Sequence, residues 1–261
     1  MAPLETEFPA IRACIFDMDG LLLNTEDIIT GTTNSLLQKY NRPPMPDSLR
    51  AQLMGITNST NSDTFHNFAK LPISAPNSPK NQETKCISIS PTVDPSLAQR
   101  NSFQHSAVRA MLTTRSYELK TSGAEAGDLL RVFGERRVLG DDVRLGGRGK
   151  PMPDIYLVAL GVINDEVVRA GGERILPQEC LVFEDSVAGV EAGRRAGMRV
   201  VWVPHSVVMG EYGGRVGDVL AGRSGVFGIG NEGLLGVVGD GWAECIGSLE
   251  DFAYGKYGIE G

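Results

Sequence analysis

The first apolar stretch of this chain, Ile11-Arg12-Ala13-Cys14-Ile15-Phe16, is broken only by Arg12 and ends at Asp17, with Gly20 close behind. A run of that length with a flanking glycine predicts a buried strand of a parallel sheet, which reads as nearly continuous apolar sequence rather than as alternation. After Leu23 the spacing turns helical. Thr25 stands where a helix would be capped, and Ile28, Ile29, Leu36, Leu37 and Tyr40 follow on one face. Pro43, Pro44 and Pro46 end that helix. A second helix is expected from Asp47 to Met54, stopped at Gly55, and a weaker one from about Ser62 to Lys70. Further on, Arg137-Val138-Leu139 reads as a short strand, and Pro153 to Leu160 as a helix opened by a proline in its first turn. Cys180 to Phe183 and Met198 to Val203 read as strands. Between them, Val187 to Ala196 reads as a helix with Gly197 as its stop. Glycine is dense from Gly210 to Gly241 and no pattern emerges there; Leu249 to Phe252 reads as a last short turn. Strands alternating with helices predict an α/β fold built on a doubly wound parallel sheet.

One region breaks the pattern. Pro72 to Val108 holds five prolines and seven serines and keeps neither period. It is expected to be a disordered or aberrant segment. The stretch after it, Ser106 to Leu112, makes a poor strand. Four blocks result: a core formed by 1–24 and 109–261, a partial helical cap at 25–71, and the irregular segment 72–108.

Composition narrows the function. A formal net charge of −7 on 261 residues offers no excess of cations to a nucleic-acid backbone. The most basic stretch, Arg194-Arg195 with Arg199, is short and belongs at a helix C-terminus. No apolar run reaches the ~18 residues of a membrane helix, and no secretory leader is visible. The four cysteines form no CxxC spacing and the three histidines no HExxH, so a zinc site is not expected. Cys14 and Cys180 read as small core residues. The expectation is a cytoplasmic monomer without nucleic-acid or membrane partners.

The chemistry sits where strands end. In open α/β sheets ligands bind beyond the carboxyl ends of the strands. Asp17 and Asp19 follow the first strand in FDMDGLL, Glu184 and Asp185 follow another in LVFEDSVAG, and Lys150 lies in the loop GRGKPMPD. Clustered carboxylates suit a hard dication such as Mg²⁺, which takes oxygen ligands and keeps several waters. Asp17, the backbone carbonyl of Asp19 and Asp185 could supply the protein's share. Lys150 adds positive charge for a phosphate and for Asp17, and Gly20 lets the backbone approach closely. Blander readings exist for each: a polar turn, a solvated loop lysine, carboxylates favoured by a helix dipole.

Taken together and in order, FDMDGLL, GKPMPD and FEDSVAGVEAGRRAGM resemble the haloacid-dehalogenase-like (HAD) family. Within it they resemble the subgroup of small sugar- and nucleotide-phosphate phosphatases that includes pseudouridine-5′-phosphatase and β-phosphoglucomutase. The resemblance spans about residues 9–71 and 115–261. It implies a Rossmann-like core with a helical cap inserted after the first motif. It also implies a Mg²⁺-dependent phosphatase acting on a small phosphorylated metabolite, a sugar or nucleoside phosphate. Asp17 would be the nucleophile forming an aspartyl-phosphate, and Asp19 the general acid and then base. Lys150 would steady the charge, and Glu184 and Asp185 would join Asp17 and Asp19 in holding the metal. Gly55 and Thr57 would touch substrate from the cap. The family also places a Ser or Thr hydroxyl at the end of a strand before the lysine motif. Here Thr113 or Thr114 would have to supply it, without a convincing strand before them. Two other readings keep the same residues: a phosphomutase, or a catalytically impaired chain acting at most as a binding module.

Overall fold

A computed structural model describes residues 8–56, 58–72, 108–113, 130, 133–224 and 232–259. Six parallel strands form one sheet. They are β1 (Ala13–Phe16), β2 (Val108–Thr113), β3 (Arg137–Leu139), β4 (Cys180–Glu184), β5 (Arg199–Trp202) and β6 (Ala243–Cys245), in the spatial order β3-β2-β1-β4-β5-β6. The register between β1 and β4 runs from Ala13 opposite Cys180 to Phe16 opposite Phe183. Alternate residues of a strand face opposite sides, and here each side has its own core. Ala13, Ile15, Val182, Val200 and Trp202 join one cluster, with Tyr156, Ala159 and Ile163 of α4 (Asp154–Arg169) and Val187 and Val190 of α5 (Val187–Arg195). Cys14, Phe16, Leu181, Phe183 and Val201 join the other, closed by Phe252, Tyr257 and Ile259 near the C-terminus. Phe16 stacks on Phe183 with ring centroids 4.5 Å apart. Cys14 and Cys180 are core residues, as expected.

Among the described residues, three helices lie between β1 and β2: α1 (Glu26–Lys39), α2 (Asp47–Leu53) and α3 (Asn58–Ala69). Gly55 follows α2 with φ +74°, where a glycine stop was expected. Thr25 precedes α1, but its side chain makes no capping bond; the hydroxyl is spent on Asp19. The supposed apolar face of α1 is mostly wet: Leu37 is buried, whereas Ile29 and Leu36 are exposed.

One expectation is overturned. The stretch that read as a poor strand is β2, paired with β1 from Ala13 opposite Val108 to Phe16 opposite Met111, and with β3 on its other edge. A central place in the sheet supplies ladder bonds on both sides, and this context outweighs the weak intrinsic pattern of VRAMLT. The core therefore resumes at Val108, one residue earlier than expected. The rest of the irregular segment, 73–107, lies outside the described residues.

Beyond the motifs the structure adds what the pattern left blank. α4 continues nine residues past Leu160. At its buried Asn164 the amide closes both backbone groups of Ile175, at 2.7 and 3.0 Å, so a polar side chain mid-helix is satisfied. The glycine-dense stretch contains α6 (Ser206–Tyr212) and α7 (Val216–Leu220), and β6 edges the sheet. Arg194 and Arg195 occupy the last turn of α5 but are buried rather than displayed. Arg195 pairs with Glu191 at 2.8 Å, Arg194 pairs with Asp240, and Arg199 donates to the carbonyl of Pro9. Among the described residues no helix is long and apolar enough to cross a membrane.

Candidate active site

Four of the expected side chains meet at the carboxyl edge of the sheet, where β1 and β4 end side by side. The N–H of Asp17 donates to the carbonyl of Phe183 at 3.0 Å, so the turn after β1 is stitched to the end of β4. Lys150, from the loop before α4, reaches across with Nζ 2.5 Å from Asp17 Oδ1 and also pairs with Glu184. Asp17, Lys150, Glu184 and Asp185 are all buried.

Glu184 is the last residue of β4, not the first after it. Its Oε1 takes Lys150 and the hydroxyl of Tyr156, which donates from α4. Its Oε2 accepts from Ser186 N–H at 3.2 Å and Ser186 Oγ at 3.0 Å. Ser186 Oγ in turn accepts the N–H of Gly189 at 3.0 Å, capping α5. Both Glu184 oxygens are thus committed to protein donors, which departs from the expected role of a metal ligand.

Asp185 is the opposite case. Its backbone carbonyl accepts from Trp202 Nε1 at 3.0 Å, which fixes the main chain, yet both carboxylate oxygens are buried and accept no hydrogen bond. Burial first, and then the charges of Glu184 and Asp17, hold its carboxyl well above the usual range. Asp17 is pushed up to about 7 by burial, against the pull of Lys150 and with help from Glu184 and Asp19. Burying ionised carboxylates without partners costs several kcal/mol each unless a cation answers them. Gly20, at φ +84°, keeps Asp185 in place: a Cβ there would lie 2.0 Å from Asp185 Oδ2.

These features fit a hard dication held by Asp17 and Asp185. Among the described residues no three His, Cys, Asp or Glu side chains are arranged to hold a metal by themselves. Mg²⁺ binds through one or two carboxylates and keeps water in its remaining positions.

Asp19 lies near enough to raise Asp17, and its Oδ1 accepts from Thr25 Oγ at 2.7 Å. That bond holds a carboxylate two residues from Asp17. Gly55, between α2 and α3, sits against Ser186; a Cβ on it would lie 2.0 Å from Ser186 Oγ. Thr113 is the last residue of β2. Because Met111 is level with Phe16, Thr113 stands at the same edge as Asp17. Thr57 and Thr114 lie outside the described residues.

Tyr156, Ser186 and Thr25 were not singled out for these contacts. Tyr156 sits in an apolar helix and reads as packing. The available clue is that a buried tyrosine hydroxyl needs a partner, and the acidic strand end is the nearest source.

Residues 14–203 match the family Haloacid dehalogenase-like hydrolase. The chain is 32% identical to the probable pseudouridine-5′-phosphatase of Saccharomyces cerevisiae, over 96% of this chain and 98% of that one. It is 34% identical to the probable pseudouridine-5′-phosphatase of Drosophila melanogaster, over 81% and 89%. A HAD hydrolase structure from Entamoeba histolytica superposes with a TM-score of 0.52 at 18% identity, covering 76% of this chain and 86% of that one. It is similar in fold.

Proposed function

We propose, from the premise that this chain belongs to the haloacid dehalogenase-like hydrolases and is one of their phosphoric monoester hydrolases, that it hydrolyses a small sugar or nucleoside phosphate through an aspartyl-phosphate on Asp17. The observation that carries this reading is the Lys150–Asp17 contact at 2.5 Å beside the unpartnered carboxylate of Asp185. A cation on one side and a metal-ready carboxylate on the other are what an anionic nucleophile needs to meet an anionic substrate.

Asp17 attacks the phosphorus, and the bond to the leaving alcohol breaks. Asp19, oriented by Thr25, gives that alcohol its proton and then takes one from the water that opens the acyl phosphate. Lys150 offsets charge on the phosphoryl oxygens, where most of the catalytic gain in phosphoryl transfer arises. Asp17 and Asp185 would hold Mg²⁺, which supplies further positive charge for the phosphoryl oxygens when bound. Thr113 is the last residue of β2, the strand beside β1. A strand beside β1 answers one of the reasons for treating the chain as impaired.

The test is phosphate release from a panel of sugar and nucleoside monophosphates, with and without Mg²⁺, for the native chain and Asp17→Asn. Turnover should require Mg²⁺, and Asp17→Asn should lose at least ~10⁴-fold. Undiminished turnover in Asp17→Asn would place the chemistry elsewhere.

A further inference from the structure

We infer that Tyr156 and Ser186 are positioning residues that pin Glu184 as the second counter-charge of Lys150 and so keep the ammonium aimed at Asp17. The inference rests on the role proposed for Asp17 and Lys150.

The reasoning starts from Lys150. A buried ammonium on a flexible four-carbon stem has many rotamers and no preferred partner geometry. In this structure it is drawn between two carboxylates, Asp17 and Glu184. Asp17 is the wrong group to hold Lys150 alone, because in the proposed reaction its charge is consumed when the phosphoryl group arrives. Glu184 does not react. It can balance Lys150 throughout the cycle only if its carboxylate stays in place, which requires donors on its own oxygens.

Those donors are present and are spread over two elements. Tyr156 donates from α4, and Ser186 donates twice from the start of α5, through its N–H and its hydroxyl. The ring of Tyr156 lies under the ammonium of Lys150, with Nζ 5.8 Å from the centroid, so one side chain touches both members of the pair. Gly189 leaves the space Glu184 fills: a Cβ there would lie 1.9 Å from the carboxylate carbon. Glu184, fully buried and bonded on both oxygens, is thereby set apart from Asp185, whose oxygens are bare.

The test is a double-mutant cycle on the full chain. Tyr156→Phe keeps the ring and deletes the hydroxyl. It should lower kcat about tenfold, within the range for residues that orient a functional group, while KM changes less than twofold. Calorimetric binding of Mg²⁺ to the metal-depleted protein should also stay within twofold of native. In a Lys150→Met background, Tyr156→Phe should cost less than twofold, because its route to the reaction is already gone. Ser186→Ala should behave in the same way, and it carries the test if Tyr156→Phe does not fold. Equal losses from Tyr156→Phe with and without Lys150 would overturn the inference, as would a tenfold loss of Mg²⁺ binding, which would return Glu184 to the metal. A failure of the underlying reading would show differently, as an Asp17→Asn variant that still turns over.

Discussion

Helices α5 and α1 follow comparable strands but live in different surroundings. All nine residues of α5 are buried, its glycines included, between the sheet and neighbouring helices. Of the fourteen residues of α1, Leu37 is the buried one, and Ile29 and Leu36 face outward. α5 starts directly after Glu184, Asp185 and Ser186, so its packing fixes the carboxylates. α1 starts after the Asp17–Asp19 turn, and the helical insertion it opens reaches the core through Ala51 of α2 and the adjoining Met54, and through polar contacts. Arg50 of α2 pairs with Asp27 of α1 at 2.5 Å, His205 before α6 approaches Asp27 at 3.4 Å, and Gly55 rests on Ser186. The buried helix supplies precision and the exposed one access, a division that phosphoryl transfer by positioning and charge would favour.

The same substitution should have opposite effects in the two helices. Gly189→Ala in α5 drives a methyl into the Glu184 carboxylate, and Gly193→Ala places one 2.8 Å from Val200. Each should destabilise by about 1–3 kcal/mol, and Gly189→Ala should also cut turnover ~10–100-fold by moving Glu184. Gly31→Ala in α1 meets nothing within 4 Å. It should stabilise by about 0.5–1 kcal/mol through helix propensity alone, with turnover unchanged. Urea unfolding of the three variants reads the stabilities directly. A destabilised Gly31→Ala would mean that α1 is packed more tightly than its exposure indicates.

A smaller effect is expected at the seam. Gly55 combines φ +74° with contact on Ser186, so Gly55→Ala should cost about 1–2 kcal/mol from the backbone. It should also lower kcat/KM roughly tenfold by lifting the insertion off the core. Steady-state kinetics with native-like values would show that Gly55 is only a helix stop.

The smallest effect is a pH dependence of the seat. Val207 N–H donates to His205 Nδ1, which leaves Nε2–H to face Asp27. Burial, then Arg50, holds His205 below its ordinary value, against Asp27. A base with a lowered folded pKa contributes stability above its unfolded pKa of about 6.5 and loses it as pH falls through the folded value. Asp27 is held below the usual carboxylate range by Asn24 and then Arg50, so its contribution is lost only at lower pH, below about 4. Between pH 7 and 5 the native chain should therefore lose under about 1 kcal/mol more than His205→Gln, since Asp27 is half in solvent. Melting curves of the pair at both pH values measure the difference, and the buried carboxylates common to both cancel. A greater loss in His205→Gln would reverse the sign assigned to His205.

Much of this division was readable before the structure. The acids at strand ends are local signals, and the strand-helix-strand unit from Cys180 to Trp202 is apolar enough to declare itself. β2 was not readable, because Val108, Ala110, Met111 and Leu112 are interrupted by Arg109 and the strand is stabilised by ladders to β1 and β3. β6, with the sequence Ala-Glu-Cys, carries no pattern at all and exists as an edge on β5. Thr25 looked like a cap because its position is right; its hydroxyl serves Asp19 instead, which no local rule signals. The split between Glu184 and Asp185 was likewise hidden. Adjacent carboxylates look alike in sequence, and Lys150, Tyr156 and Ser186 decide which one is satisfied.

The central claim is that Asp17 carries the phosphoryl group. The most direct measurement is a rapid acid quench of the enzyme turning over para-nitrophenyl phosphate with Mg²⁺, followed by mass spectrometry of the peptide containing FDMDGLL. Phosphate on Asp17, labile to hydroxylamine and missing from Asp17→Asn, is the result expected. Turnover without any phosphorylated peptide, persisting in Asp17→Asn, would contradict it.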